Sequence, residues 1–315
     1  MILTVTPNAN LDKTLRIEEF ALNKVHRPSQ GFTGAGGKGI NVARVFQTLG
    51  GSALATGFLG GMPGRIVRKA LRQEAIADDF VTVRGDTRFC IAIVDPICGT
   101  QTEINERGPE ISGHNLLVLQ RKIEKLLSQQ TFQCVILNGS LPPGVPDTFY
   151  PGLIEIANKC GVPVVLDSSG SAVRVGVQAI PWMIKPNSIE LEAILDRPIR
   201  DDADIRHAME ALHSSGIAIV AVTRGAEGAY LKTAHGFWEA TPPKIKFASA
   251  VASGDSFLAA FLYQWLHGDL TEDAEQSLRL AVGAGAANAA VIGAGFCTKE
   301  SIYAHAEQVV IHKGL

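Results

Sequence analysis

The sequence predicts an α/β protein with a central, mainly parallel sheet flanked by helices and a small β-sheet lid outside it. Two observations carry that expectation. Short β-branched runs alternate with helix-length stretches, the pattern of βαβ units and a parallel sheet covered by helices. Two segments, residues 14–33 and 88–104, break the rhythm and read as antiparallel strands outside the main sheet. In the second of these, Phe89, Ile91 and Ile93 alternate toward a turn at Pro96 to Thr100. Between the two, Val42 to Leu49 reads as an amphipathic helix. Val135 to Leu137 follows as a strand, Thr148 to Lys159 as a helix and Val162 to Asp167 as a strand. A helix ending near Ser214 precedes the strand Ile217 to Thr223, and Phe257 to Leu266 is again helical. Leu280 to Phe296, built from Ala and Gly around Asn288, is short for a bilayer and reads as a tightly packed internal helix.

At 315 residues the chain is long for one core, yet an α/β layer protein of this size folds as a single domain, 1–315, with an appendage. The appendage, placed over a substrate, would exclude water. Net charge is −2 from 29 basic and 31 acidic residues without runs, so neither nucleic acid nor an anionic membrane is expected as partner. A small molecule is. Five cysteines without a C-x-x-C pair fit reduced thiols in a cytoplasm. Met1 to Pro7 runs into Asn8, Asn10 and Asp12 without the apolar core of a secretion signal, and a cytoplasmic location is expected. No histidine has metal-ligand spacing.

Two glycine runs precede helical stretches. In Ser253-Gly254-Asp255-Ser256-Phe257 the glycine permits close backbone approach, the next amides open a helix N-terminus, and Asp255 stands where a carboxylate can take a proton from an attacking hydroxyl. The same residues also make an ordinary turn and cap. The upstream run, Gly34 to Asn41, fits G-x-G-x-x-G at Gly34, Gly36 and Gly39, but His26 to Thr33 does not read as a strand and no acid lies near position 59, which argues against a nicotinamide site. It also fails the P-loop pattern, because Gly39 follows Lys38 and Phe32 stands at the first glycine.

Six strings in order, Asn10-Leu11-Asp12, Gly36 through Asn41, Asn138-Gly139-Ser140, Lys185-Pro186-Asn187, Thr223-Arg224-Gly225 and Gly254-Asp255, resemble the PfkB (ribokinase-like) carbohydrate kinases over nearly the whole chain. With Thr102 to Asn105 and Gly108 to Ser112, the likeness is to the branch acting on ketohexose monophosphates, the 1-phosphofructokinases and tagatose-6-phosphate kinases. The resemblance implies a ribokinase-like fold, ATP and Mg²⁺ as cofactors, and a lid that clasps a second subunit into a homodimer.

Residue by residue, the resemblance makes Asp255 the general base, with the amides of Ala252, Ser253 and Gly254 stabilising the transferring phosphoryl group. Where the family has Gly-Ala-Gly-Asp, this chain reads Ala252-Ser253-Gly254-Asp255, and an alanine forced to positive φ would be strained by roughly 1 kcal/mol. Asp12 and Asn41 would bind sugar hydroxyls, with Gly36, Gly37 and Gly39 allowing backbone approach. Arg88, helped by Lys24, Arg27, Lys38 or Arg107, would hold the substrate phosphate, and Ser140 lies just past a strand where ligands gather. Lys185 and Asn187 would approach the ATP phosphates, Glu190 would organise Mg²⁺ through water, Thr223, Gly225 and Gly228 would contact the nucleotide, and Asn288 would border the adenine. The expected reaction is direct in-line transfer to fructose 1-phosphate, without a phosphoenzyme. Tagatose 6-phosphate, fructose 6-phosphate and a sugar-phosphate-binding regulator without turnover are the alternatives.

Overall fold

The computed structural model describes residues 1–268 and 274–314. In chain order come β1 (Ile2–Thr6), β2 (Asn10–Arg16), β3 (Gln30–Gly36), α1 (Lys38–Leu49), β4 (Ala53–Gly60), α2 (Gly61–Gln73), β5 (Ala77–Asp78), β6 (Val81–Val83), β7 (Arg88–Asp95) and β8 (Thr100–Asn105). Then follow α3 (Gly113–Gln129), β9 (Cys134–Asn138), α4 (Phe149–Lys159), β10 (Val164–Asp167), α5 (Gly170–Val177), β11 (Met183–Ile184), α6 (Ser188–Leu195), α7 (Asp202–Ser214) and β12 (Ile219–Thr223). The chain closes with β13 (Ala229–Thr233), β14 (Gly236–Thr241), α8 (Ser253–His267), α9 (Ala274–Ala289), α10 (Lys299–Ala306) and β15 (Val310–Gly314).

The large sheet runs β15-β14-β13-β12-β11-β10-β9-β1-β4-β5, with β6 also on β4. Pairing is parallel from β12 across to β5, and antiparallel among β12, β13, β14 and β15. Its central parallel strands β1, β9, β10 and β11 are buried at every residue and mostly apolar, because both faces are covered. Side chains alternate between two cores: Ile2 and Ile136 join one with Phe46 of α1 and Leu258 of α8, while Leu3 and Leu137 join the other with Leu119 of α3 and Leu153 of α4. Parallel pairing also brings the last residues of β1, β9, β10 and β12 (Thr6, Asn138, Asp167 and Thr223) to one edge, the edge where ligands collect in such sheets.

The second sheet has the order β3-β2-β7-β8 and leans on that edge, where the side-chain Oε1 of Gln101, on β8, accepts from the Ala250 backbone N–H at 3.0 Å. It extends further than expected, from Asn10 rather than Thr14 and to Asn105 rather than Ile104. Its central pair, β2 with β7, is parallel, because β7 enters from the other end after α2 instead of from a hairpin. The reading of His26 to Thr33 as non-strand is also corrected. Gln30 to Gly36 pairs with every residue of β2, so ladder hydrogen bonds override the poor strand propensity of its glycines. The Ala/Gly helix ends at Ala289, after which Gly293 and Gly295, at φ +117° and +76°, turn the chain back. No helix among the described residues is long and apolar enough to cross a membrane.

Ile136, fully buried at the centre of the sheet, is expected to cost about 2–5 kcal/mol when truncated to alanine. Urea denaturation with an unchanged m-value measures this, and a loss under about 1 kcal/mol would contradict the packing described.

Candidate active site

A cleft of about 1180 Å³ lies between the lid sheet and the strand ends. It exceeds the ~300–1,000 Å³ usual for one small ligand, so it has room for two. Asp255 lines it from the first turn of α8, where the helix dipole favours a carboxylate. Asn41 of α1 donates its side-chain amide to Asp255 Oδ2 at 2.9 Å. Burial pushes the Asp255 carboxyl up to about 6; Lys38 and Lys185 pull it down, and Asp167 adds to the rise.

Before α8 the chain turns through Ala252 at φ +64°, so the alanine adopts the left-handed conformation that a glycine would take there. The expectation for the three amides needs one correction. The Ser253 N–H is turned back onto the Ala250 carbonyl at 3.2 Å, whereas those of Ala252, Gly254 and Asp255 make no hydrogen bond among the described residues. An anion at this helix start would therefore meet Ala252, Gly254 and Asp255. Asn288 is likewise corrected. It is fully buried and does not line the cleft, because its amide donates to the Val251 carbonyl (2.7 Å) and Ser253 Oγ (3.1 Å) and accepts from the Gly295 N–H. Its role is to brace the turn.

On the lid side, β2 carries Asn10 and Asp12, and Arg88 of β7 is the register partner of Asn10. Asn10 Nδ2 donates to Asp12 Oδ1 at 2.5 Å. Gly36 lies opposite in the ladder, and a Cβ there would collide with both side chains, so glycine is what lets them lean over the cleft. Burial pushes Asp12 up to about 6, against the Asn10 hydrogen bond and the charge of Arg44. Arg88 Nε donates to the Asn8 carbonyl (3.2 Å) and Nη1 to the Glu106 carbonyl (3.0 Å), while Nη2 makes no hydrogen bond among the described residues. Ser140 and Gly37 also line the cleft. Gly36, Gly39, Lys24 and Arg107 do not. Gly39 is packed so tightly on β1 that a Cβ would strike Thr6 Oγ1, and Lys24 and Arg107 are exposed on loops.

Lys38 lines the cleft, but its ammonium is already engaged there. Its ammonium bonds Asp167 at 2.8 Å and Glu190 at 3.4 Å, and Lys185 reaches Asp167 at 3.4 Å. Burial opposes the charge on Lys38, yet Asp167, Glu190 and Asp255 together raise its affinity for the proton. Burial would also protonate Asp167, but Lys185 and Lys38 outweigh it and hold the carboxyl below the usual range.

Asn187 caps α6 in a reciprocal box: its side chain accepts from the Glu190 N–H (2.8 Å), and Glu190 Oε2 accepts from the Asn187 N–H (2.9 Å). The pair is thus structural and lines the cleft at once. Thr223, Gly225 and Gly228 border the same end, with Gly228 at φ +101° pressed on the Ala240 carbonyl. Asp167 and Asn10 were missed by sequence reasoning; a carboxylate ending a buried strand (Asp167) was the available signal for the first.

The chain matches the model of the pfkB family carbohydrate kinases over residues 8–301. It is also similar to solved structures. A provisionally named phosphofructokinase from Staphylococcus aureus is 31% identical, with 100% of this chain and 99% of that one covered and a TM-score of 0.80. A provisionally named 1-phosphofructokinase from Thermotoga maritima is 26% identical, covers 100% of both chains and has a TM-score of 0.90. The phosphofructokinase-2 of Escherichia coli, solved in complex with fructose-6-phosphate, is 27% identical, with 98% of each chain covered and a TM-score of 0.86.

Asp255→Asn is expected to lower kcat by roughly 10² to 10⁴ with little change in substrate binding. A nearly normal kcat would remove Asp255 from the role of base. Because the folded carboxyl binds its proton more tightly than the unfolded 3.8, its contribution to stability is present below that value and is lost as pH rises through about 6. Asp255→Asn should therefore be no less stable than the parent at pH 7.5, and a lower urea midpoint there would contradict the assignment. Ala252→Gly relieves the positive φ at the expense of unfolded-chain entropy, so stability should rise by about 0–1 kcal/mol with activity retained. A large loss of activity would show that the turn needs the methyl group.

Proposed function

The chain belongs to the pfkB family of carbohydrate kinases, and we propose that it transfers the γ-phosphoryl group of ATP to a ketohexose monophosphate, fructose 1-phosphate first, giving fructose 1,6-bisphosphate. One observation carries the reading: a single cleft is lined by Asp255, by the acceptor-type groups Asp12 and Arg88 of the lid sheet, by Asn41 of α1, which bonds Asp255, and by Lys185, Asn187 and Thr223. The acceptor oxygen forms its bond to the γ-phosphorus as the bond to the bridging oxygen breaks, ADP leaves, and Asp255 takes the hydroxyl proton. The amides of Ala252, Gly254 and Asp255 meet the negative charge at the start of α8.

Mg²⁺ keeps its waters and leans on one or two carboxylates and the substrate phosphates. Glu190 and the buried Asp167, whose Oδ2 has no partner among the described residues, fit that demand and would hold it through water. When bound, the ion supplies charge neutralisation at the phosphates.

Arg88 supports a phosphorylated acceptor, since its Nη2 has no partner among the described residues and lies in the cleft that Asn10 and Asp12 also line. Fructose 6-phosphate is the second reading, favoured by the Escherichia coli relative solved with that sugar. A regulator without turnover is the weaker reading, because Ala252 already takes the glycine-like conformation and Asp255 is in place. The lid bears exposed Leu22, Val25 and Ile104, and a second copy of the chain clasped there would cover them.

ADP release measured across sugar monophosphates and free sugars should be highest for a ketohexose phosphate. Arg88→Ala removes a charge-assisted contact of about 1.5–3 kcal/mol, so KM for that substrate should rise roughly 10- to 100-fold with KM for ATP nearly constant. Better turnover of free fructose or ribose, or an unchanged KM, would replace this reading with a general sugar kinase. Val25→Asp should convert dimer to monomer in analytical ultracentrifugation; a parent protein that sediments as a monomer rules out the clasp.

A further inference from the structure

One side chain behind Asp255 lies a buried guanidinium. Arg44, in the second turn of α1, is 6% exposed and spends all its donors. Nη1 donates to Asn41 Oδ1 (2.9 Å) and the Ala294 carbonyl (2.8 Å), Nη2 to the Ala35 carbonyl (2.8 Å) and Glu74 (3.3 Å), and Nε to Glu74 (2.6 Å). The ring of Phe296 covers its face at 4.5 Å. The group is thus held from four directions, by the lid strand β3, by α1, by the residue after α2 and by the turn after α9.

The consequence lies in the amide of Asn41. An asparagine side chain has nearly the same shape with oxygen and nitrogen exchanged, so packing alone does not choose its orientation. A guanidinium only donates. Asn41 must therefore turn its oxygen to Arg44 and its nitrogen to Asp255, where Nδ2 donates to Oδ2 at 2.9 Å. With the amide reversed, two oxygens would face each other and the carboxylate would swing away.

We propose that Arg44 is a positioning residue for phosphoryl transfer: by fixing the amide of Asn41 it aims the Asp255 carboxylate at the acceptor hydroxyl. The inference rests on the reading of Asp255 as the base. It assigns Arg44 no contact with either substrate, so its removal acts on kcat and leaves both KM values alone.

The test compares Arg44→Met, which fills space and donates nothing, with Arg44→Gln, whose amide can still donate to Asn41. Both are made in a Glu74→Gln background, so that no carboxylate is left unpaired. Steady-state kinetics with ATP and the preferred sugar phosphate should show Glu74→Gln within about threefold of the parent in kcat. Adding Arg44→Gln should cost under about fivefold, and adding Arg44→Met about 10- to 100-fold, each with KM changed less than about threefold. In an Asn41→Ala background, Arg44→Met should cost no further kcat beyond about threefold, whereas a general loss of structure would still add. Equal kcat for the Met and Gln variants, or the same loss with Asn41 absent, overturns the proposal. Should Arg44→Met not fold, Asn41→Asp reads the same link, since it satisfies Arg44 but turns an oxygen on Asp255: a kcat within threefold of the parent overturns the proposal. Asp255→Asn run in parallel separates the two levels. If that variant keeps its activity, the base reading has failed; if it is inactive while Arg44→Met is normal, only the positioning role has.

Discussion

The ion pair between Lys38 and Asp167 is the contact on which the cleft depends. Lys38 is the first residue of α1 and Asp167 the last of β10, and each carries a second partner, Glu190 at the start of α6 and Lys185 after β11. Four elements from distant parts of the chain are thereby fixed at one edge of the sheet. Buried ion pairs contribute little net stability, because desolvation offsets the attraction. Their use here is to set the protonation of their surroundings. The two lysines keep Asp167 ionised against burial, while Asp255, with no direct ion pair among the described residues, remains near 6. A carboxylate poised there is ionised at neutral pH and still a competent proton acceptor.

Much of the architecture is legible in the sequence, because parallel strands buried on both faces must be short apolar runs separated by helices. The antiparallel end of the sheet, β13 to β15, is less so. Its alternation resembles that of a lid, and only pairing partners far along the chain decide where it goes. The same non-local choice hid the parallel pairing of β2 with β7. Propensity misled at Gln30 to Gly36, where a stretch with three glycines and an alanine forms a strand because β2 lies beside it.

At the site, Asp255 and its glycine turn were legible because turn chemistry is local, and so was the strain at Ala252, which the chain accepts at φ +64°. Lys38 was legible as a residue of the cleft but its ion pair was not, because a lysine after glycines looks free to take an anion and nothing nearby in sequence announces Asp167 as its partner. Asn288 was legible as a polar group needing a partner, but the partner proved to be the turn before α8 rather than a ligand. Arg44 escaped notice because a charged residue on a helix is normally solvated; its burial follows from carbonyls of Ala35 and Ala294 that the fold alone brings together.

The account stands on donor and acceptor meeting across Asp255 in one cleft, with no covalent intermediate on the protein. The most direct measurement is the stereochemical course at phosphorus, using ATP made chiral at the γ-phosphoryl group with oxygen isotopes. A single in-line displacement gives a sugar bisphosphate of inverted configuration. Retention would mean two successive transfers through a protein nucleophile, and would contradict it.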